Sequence, residues 1–174
     1  MLDFYVNALR QNKNKWYSGI DIELYVNTTL HLVDDFIQHL DKNDKLLEIG
    51  CGNGIALHYL RMHGYDCRGI DRDNAFVECH NILDVSDIIE KKQIEPDNWI
   101  DYINGSDENV VFSLRFFVFD AMQFDDNIKY IKDINKTLFL QVSPDFKKSK
   151  PIIHNYLQEN AIVKNENNNS FLLK

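Results

Sequence analysis

Three glycines at alternate positions, Gly50, Gly52 and Gly54, follow the apolar run Leu46-Leu47-Glu48-Ile49 and precede Ile55-Ala56-Leu57-His58-Tyr59-Leu60. That order reads as strand, tight loop, helix. Glycine takes positive φ without strain and carries no Cβ, so such a bend brings backbone amides close to a ligand at the positive end of the next helix. An anion is the expected guest, either a phosphate or the carboxylate of an amino acid. Glu48 adds a carboxyl inside an otherwise apolar strand, where an acid needs a partner. Asp71 stands 21 residues after Gly50, at the end of a second short strand, DCRGID. In a parallel sheet its side chain reaches the cleft beside the bend, where two acceptor oxygens on one rigid group suit the hydroxyls of a ribose.

The spacing excludes several familiar uses of such a loop. A dinucleotide fingerprint starting at Gly50 requires glycine at position 55, which is Ile55, and a P-loop requires Gly-Lys-Ser/Thr, which is absent. Cys51, Cys67 and Cys79 lack the close pairs of zinc or redox sites and read as free thiols, with Cys51 packing inertly in the loop. His58, His63 and His80 have no metal-ligand spacing and are expected on the surface, so no metal site is predicted.

Read together, LLEIGCGNG and GID resemble the first two motifs of class I S-adenosylmethionine-dependent methyltransferases. The match covers residues 45 to 73 and is compatible with the strands and helices that follow as far as residue 174. It implies a single-domain α/β, Rossmann-like methyltransferase sandwich with S-adenosylmethionine as cofactor. Glu48 would lie near the methionine moiety and its ammonium group, Gly50, Gly52 and Gly54 would face the amino-acid part, and Asp71 would hold the ribose. Cys51, Asn53, Arg72 and Ser113 complete the expected cofactor-binding set. The family often places an adenine-contacting acid after the third strand, for which Asp84 is the candidate. If NVVFSLRF is the fourth strand, Ser113, Leu114 and Arg115 lie at the mouth of the site. Ser143-Pro144-Asp145-Phe146 partly resembles the signature of methyltransferases acting on planar amino groups, but the second proline is missing and a plain turn is expected. A sulfonium carries its own activation, so no catalytic base is implied. The acceptor is expected to be a small molecule, with protein or RNA as the second reading. A binding or partner module without catalysis is the rival from another class.

The elements that must position these groups follow from periodicity. Val26, Leu30, Val33, Ile37 and Leu40 alternate in steps of four and three, which predicts an amphipathic helix over residues 22 to 40. Asn109 to Phe116 and Thr137 to Val142 read as strands, Asp126 to Ile134 and Pro151 to Asn160 as helices. Ala161 to Lys164 and Ser170 to Leu173 flank an asparagine-rich turn and predict a closing antiparallel hairpin. Between Asp73 and Ser106 the pattern is ambiguous: helical spacing runs from Ala75 to Gln93, yet Asn81 to Val85 also suits a brief strand, and the third strand stays unplaced. Residues 1 to 20 suggest a short helix and an arm, in which Trp16 and Tyr17 either cover the site or pack on the core edge.

The 174 residues suit one domain, residues 1 to 174, at 44% hydrophobic and 26% charged. A net charge of −8 disfavours general affinity for nucleic acid or anionic membranes, and Lys147, Lys148 and Lys150 read as a solvated loop. No apolar run approaches the ~20 residues that span a bilayer, so a cytoplasmic protein is expected.

Overall fold

The computed structural model describes residues 1–12, 19–72, 75–95, 98–114, 129–142, 146–167 and 169–174. Their frame is a seven-stranded sheet: β1 (Lys45–Ile49), β2 (Asp66–Asp71), β3 (Ile89–Lys91), β4 (Val110–Ser113), β5 (Thr137–Gln141), β6 (Val163–Asn165) and β7 (Ser170–Leu173). The spatial order is β3-β2-β1-β4-β5-β7-β6. The first five strands are parallel, β7 pairs antiparallel with β5, and β6 closes the sheet antiparallel to β7. The order reverses between β1 and β4, the kind of switch point at which open α/β sheets bind ligands beyond the carboxyl ends of their strands.

Helices cover both faces. On one lie α1 (Leu2–Gln11), α2 (Ile22–Ile37), α3 (Ile55–Met62) and α4 (Val77–Ile82). Their core includes Tyr5, Leu9, Val33, Phe36, Leu57 and Phe112. The other face carries α5 (Trp99–Gly105), α6 (Lys129–Lys132) and α8 (Pro151–Asn160), with the single turn α7 (Phe146–Ser149) between the last two. Leu47, Ile49, Trp99, Ile103, Val111 and Leu157 form that second core. Strand alternation divides each strand between the two layers: Leu46 belongs to the first core and Leu47 and Ile49 to the second, so Glu48 points into the first.

Several predicted elements differ from the observed ones. Helix α2 begins at its Asp21 cap, whose carboxylate accepts from the Leu24 amide at 3.0 Å. Its buried line is Val26, Thr29, Leu32, Val33 and Phe36, while Leu30, Ile37 and Leu40 are only half-buried. The helical spacing from Ala75 persists only to Ile82, and the unplaced third strand is β3. Neither Asn81 to Val85 nor the rest of that run forms a strand before residue 89, because the chain turns at Asp84 with φ 54°. Helix α5 was not foreseen. The hairpin, Pro151 as first helical residue and the β5 strand lie where the sequence predicts them. Trp16, Tyr17, Arg115 and Ser143 to Asp145 lie outside the described residues.

Candidate functional site

The bend after β1 is held by the end of β2 and by its own residues. The Gly50 and Cys51 amides both donate to the Ile70 carbonyl, at 2.9 and 3.1 Å, and the Gly54 amide donates to the Cys51 carbonyl at 3.0 Å. The Gly52 amide donates to Asp71 Oδ2 at 2.8 Å, and the Ile55 amide to Asn53 Oδ1 at 3.0 Å. Gly50, Gly52 and Gly54 have φ of 72°, 49° and 77°, left-handed values that admit glycine and strain other residues. A Cβ on Gly54 would also lie 3.0 Å from Val85 Cγ2 and 3.2 Å from Ile89 Cδ1. Five of the bend's amide donors thus bond within the fold.

Beneath the bend lies a carboxyl of the opposite kind. Glu48 is 3% exposed, and its Oε2 has no hydrogen-bond partner among the described residues. Burial first, and then the charge of Asp71, push its pKa well above the ordinary glutamate range. Glu48 pairs with Gly69 across β1 and β2, and Gly69 has no side chain because none fits: a Cβ there would lie 2.5 Å from Leu57 Cδ1 and 2.7 Å from Cys51 Cβ. Cys51 is buried, and burial, then Glu48 and Asp71, raise its thiol pKa well above the ordinary range.

The remaining candidates spread around this centre. Asp71 ends β2 half-buried, with its carbonyl accepting from the Lys92 amide at 2.8 Å, and Arg72 follows it on the surface. Asn53 is buried and donates through Nδ2 to the Tyr25 hydroxyl at 3.0 Å, which ties the loop to α2. Ser113 is 2% exposed at the end of β4 and donates to the Ile49 carbonyl at 3.2 Å, fastening β4 to β1 just below the bend. Asp84 is the candidate that the geometry removes: it precedes β3 rather than following it, is exposed, and its carbonyl accepts from Arg61 at the far end of α3. His80 is corrected as well. Expected on the surface, it is 5% exposed, and its Nε2 lies 2.6 Å from the Gly52 carbonyl. His58 is half-buried, with Nδ1 2.8 Å from the Tyr5 hydroxyl. Gly69, Tyr25 and His80 are the site-forming residues that the sequence reading missed; of the three, only the glycine in GID carried a visible signal.

The chemistry of these groups favours a cation. A buried carboxyl lacking a hydrogen-bond partner, with a second carboxylate nearby and the adjacent amides engaged, suits an ammonium group against Glu48 and a polyhydroxyl group against Asp71. The ammonium and ribose of S-adenosylmethionine would supply hydrogen-bond donors to these two carboxyl groups. Among the described residues no group of acidic, histidine or cysteine side chains could hold a metal ion.

The sequence matches no protein-family model and no curated protein. The fold, by contrast, is similar to many solved structures. Ribosomal protein L11 methylase from Lactobacillus delbrueckii subsp. bulgaricus superposes with a TM-score of 0.58 at 13% identity, over 84% of this chain and 78% of that one. Magnesium protoporphyrin IX methyltransferase from Synechocystis PCC 6803, solved with bound S-adenosylmethionine, gives 0.58 at 14% identity over 96% and 88%. WbdD gives 0.62 at 13% identity, over 97% of this chain and 48% of that one, so the chain spans about half of WbdD. The fold is that of the class I S-adenosylmethionine-dependent methyltransferases, as the sequence resemblance implied.

Proposed function

We propose that this chain binds S-adenosylmethionine beside the bend from Glu48 to Gly54 and serves as a methyltransferase toward a small-molecule acceptor. The observation that carries the reading is the Glu48 carboxyl, buried with one oxygen unpartnered directly under the bend. An acid in that position costs stability unless a guest brings a positive charge to it. In this reading Glu48 receives the ammonium group, Asp71 the ribose hydroxyls, and Gly50, Gly52 and Gly54 give the room for close approach. Cys51, Asn53, Arg72 and Ser113 border the same ligand. Ser113, through Ile49, keeps the end of β4 beside the bend. The cofactor supplies a methyl already activated on a sulfonium, and the protein's share is to orient, to exclude water and to bring the acceptor in line. The net charge of −8 favours a small acceptor over a phosphate polymer. The fold's relatives are consistent with the cofactor, since magnesium protoporphyrin IX methyltransferase was solved with it.

Calorimetry with S-adenosylhomocysteine and with NAD tests the proposal. Binding of the first and not the second is expected, with Asp71→Ala weakening it by about 1–3 kcal/mol, as for lost hydrogen bonds to a charged group. Absence of S-adenosylhomocysteine binding would overturn the proposal. Binding without any methyl transfer to a panel of small acceptors would replace the enzyme with a cofactor-binding module.

A further inference from the structure

Gly52 is held at both of its polar atoms. Its amide donates to Asp71 Oδ2 at 2.8 Å, and its carbonyl lies 2.6 Å from His80 Nε2. A carbonyl can only accept, so Nε2 must carry the proton and His80 is the donor. The ring also sits against the next part of the bend, with its Cδ2 3.3 Å from where a Gly54 Cβ would stand. His80 is itself fixed by α4: its amide donates to the Phe76 carbonyl at 2.9 Å, and its carbonyl accepts from Val85 at 3.0 Å. The place of α4 is set in turn by Asn12, whose Nδ2 donates to the Ala75 carbonyl at 3.2 Å, and by the pairing of β2 with β3.

We propose that His80 is a positioning residue of the ligand site, which fixes Gly52 in its left-handed conformation so that the Gly52 amide holds the Asp71 carboxylate turned toward the ribose. The inference rests on the cofactor reading above but adds a residue and a direction of action. Burial lowers the pKa of His80, while the Gly52 carbonyl and the charge of Asp71 oppose that shift. The donated proton is present in the neutral ring and in its protonated form alike. The contact therefore survives across the physiological range, and His80 acts as a fixed strut.

Two variants and one direct measurement test this. His80→Phe removes the donor and His80→Gln keeps one. Affinity is read with S-adenosylhomocysteine and with its 2′,3′-dideoxy analogue, which lacks the hydroxyls assigned to Asp71. The expected loss in His80→Phe is on the order of tenfold for the hydroxylated ligand, with little change for the dideoxy one and substantial recovery in His80→Gln. Equal losses on both ligands, or none on either, would overturn the proposal. Failure of the wild type to bind S-adenosylhomocysteine at all would instead overturn the cofactor reading. Should the variants not fold, nitrogen NMR of the wild-type histidines decides: a proton on Nε2 that remains when S-adenosylhomocysteine binds supports the strut, and a ring protonated only on Nδ1 contradicts it.

Discussion

The two ends of the parallel strands carry acids in opposite situations, Glu108 half-buried at one and Glu48 buried at the other. At the amino-terminal end Glu108 precedes β4 and meets Arg68 of β2, with Nη2 to Oε2 at 3.1 Å. Arg68 also donates to the Tyr102 hydroxyl of α5 at 3.2 Å, and Lys136 donates to the Ser106 and Glu108 carbonyls at 2.6 Å each. Burial alone would raise the Glu108 pKa, but the Arg68 hydrogen bonds and charge outweigh it and hold the carboxyl below the ordinary range. At the carboxyl-terminal end Glu48 Oε2 has no hydrogen-bond partner among the described residues, a carboxylate lies nearby, and its pKa is pushed the other way. One sheet thus carries an acid whose partner is built in and an acid for which we propose that the ligand brings the partner. Polar groups matched within the chain serve the fold, whereas a buried acid without a match costs stability.

The largest expected effect comes from crowding the unmatched end. Gly69→Ala places a methyl against Leu57 and Cys51 beneath the bend. Overpacking of this kind costs about 1–3 kcal/mol, readable as a lower midpoint in urea unfolding. An unchanged midpoint would mean that the tight β2-to-loop approach has no energetic weight.

A smaller effect separates the two acids by sign. The folded pKa of Glu48 is raised, so its contribution to stability is present in acid and is lost as pH rises from the ordinary glutamate value through the folded one. The folded pKa of Glu108 is lowered, so its contribution is present above the ordinary value and is lost as pH falls through the folded one. In the ligand-free protein Glu48→Gln should therefore flatten the loss of stability toward alkaline pH. Glu108→Gln should flatten the loss toward acid pH and lower stability at neutral pH by about 1 kcal/mol, because the Arg68 side chain is 32% exposed and partly screened. Thermal melts across pH check both slopes, and slopes of the same sign would erase the comparison.

The sequence made the ligand end legible in its local parts. The strand, bend, helix and strand from Lys45 to Asp71 declare themselves because glycine positions, apolar runs and a terminal acid are all short-range signals. The third strand did not, because β3 is three residues at a sheet edge with only Ile89 half-buried, too little for an apolar run. Helix α5 escaped for a related reason, since Trp99 and Ile103 are its only fully buried residues. The engaged amides, the missing partner of Glu48 and the burial of His80 depend on contacts between distant segments. His80 and Gly52 are 28 residues apart, and nothing in either local pattern joins them.

On the proposed function, the Glu48 carboxyl under the bend receives the ligand's ammonium group. Calorimetry of S-adenosylhomocysteine binding at neutral pH, repeated in buffers of different ionisation enthalpy, counts the protons exchanged. An ammonium group settling against Glu48 lowers its raised pKa, so the wild type should release a proton on binding, and Glu48→Gln should bind more weakly and release none. Equal affinity and an equal proton count in the two proteins would contradict the account.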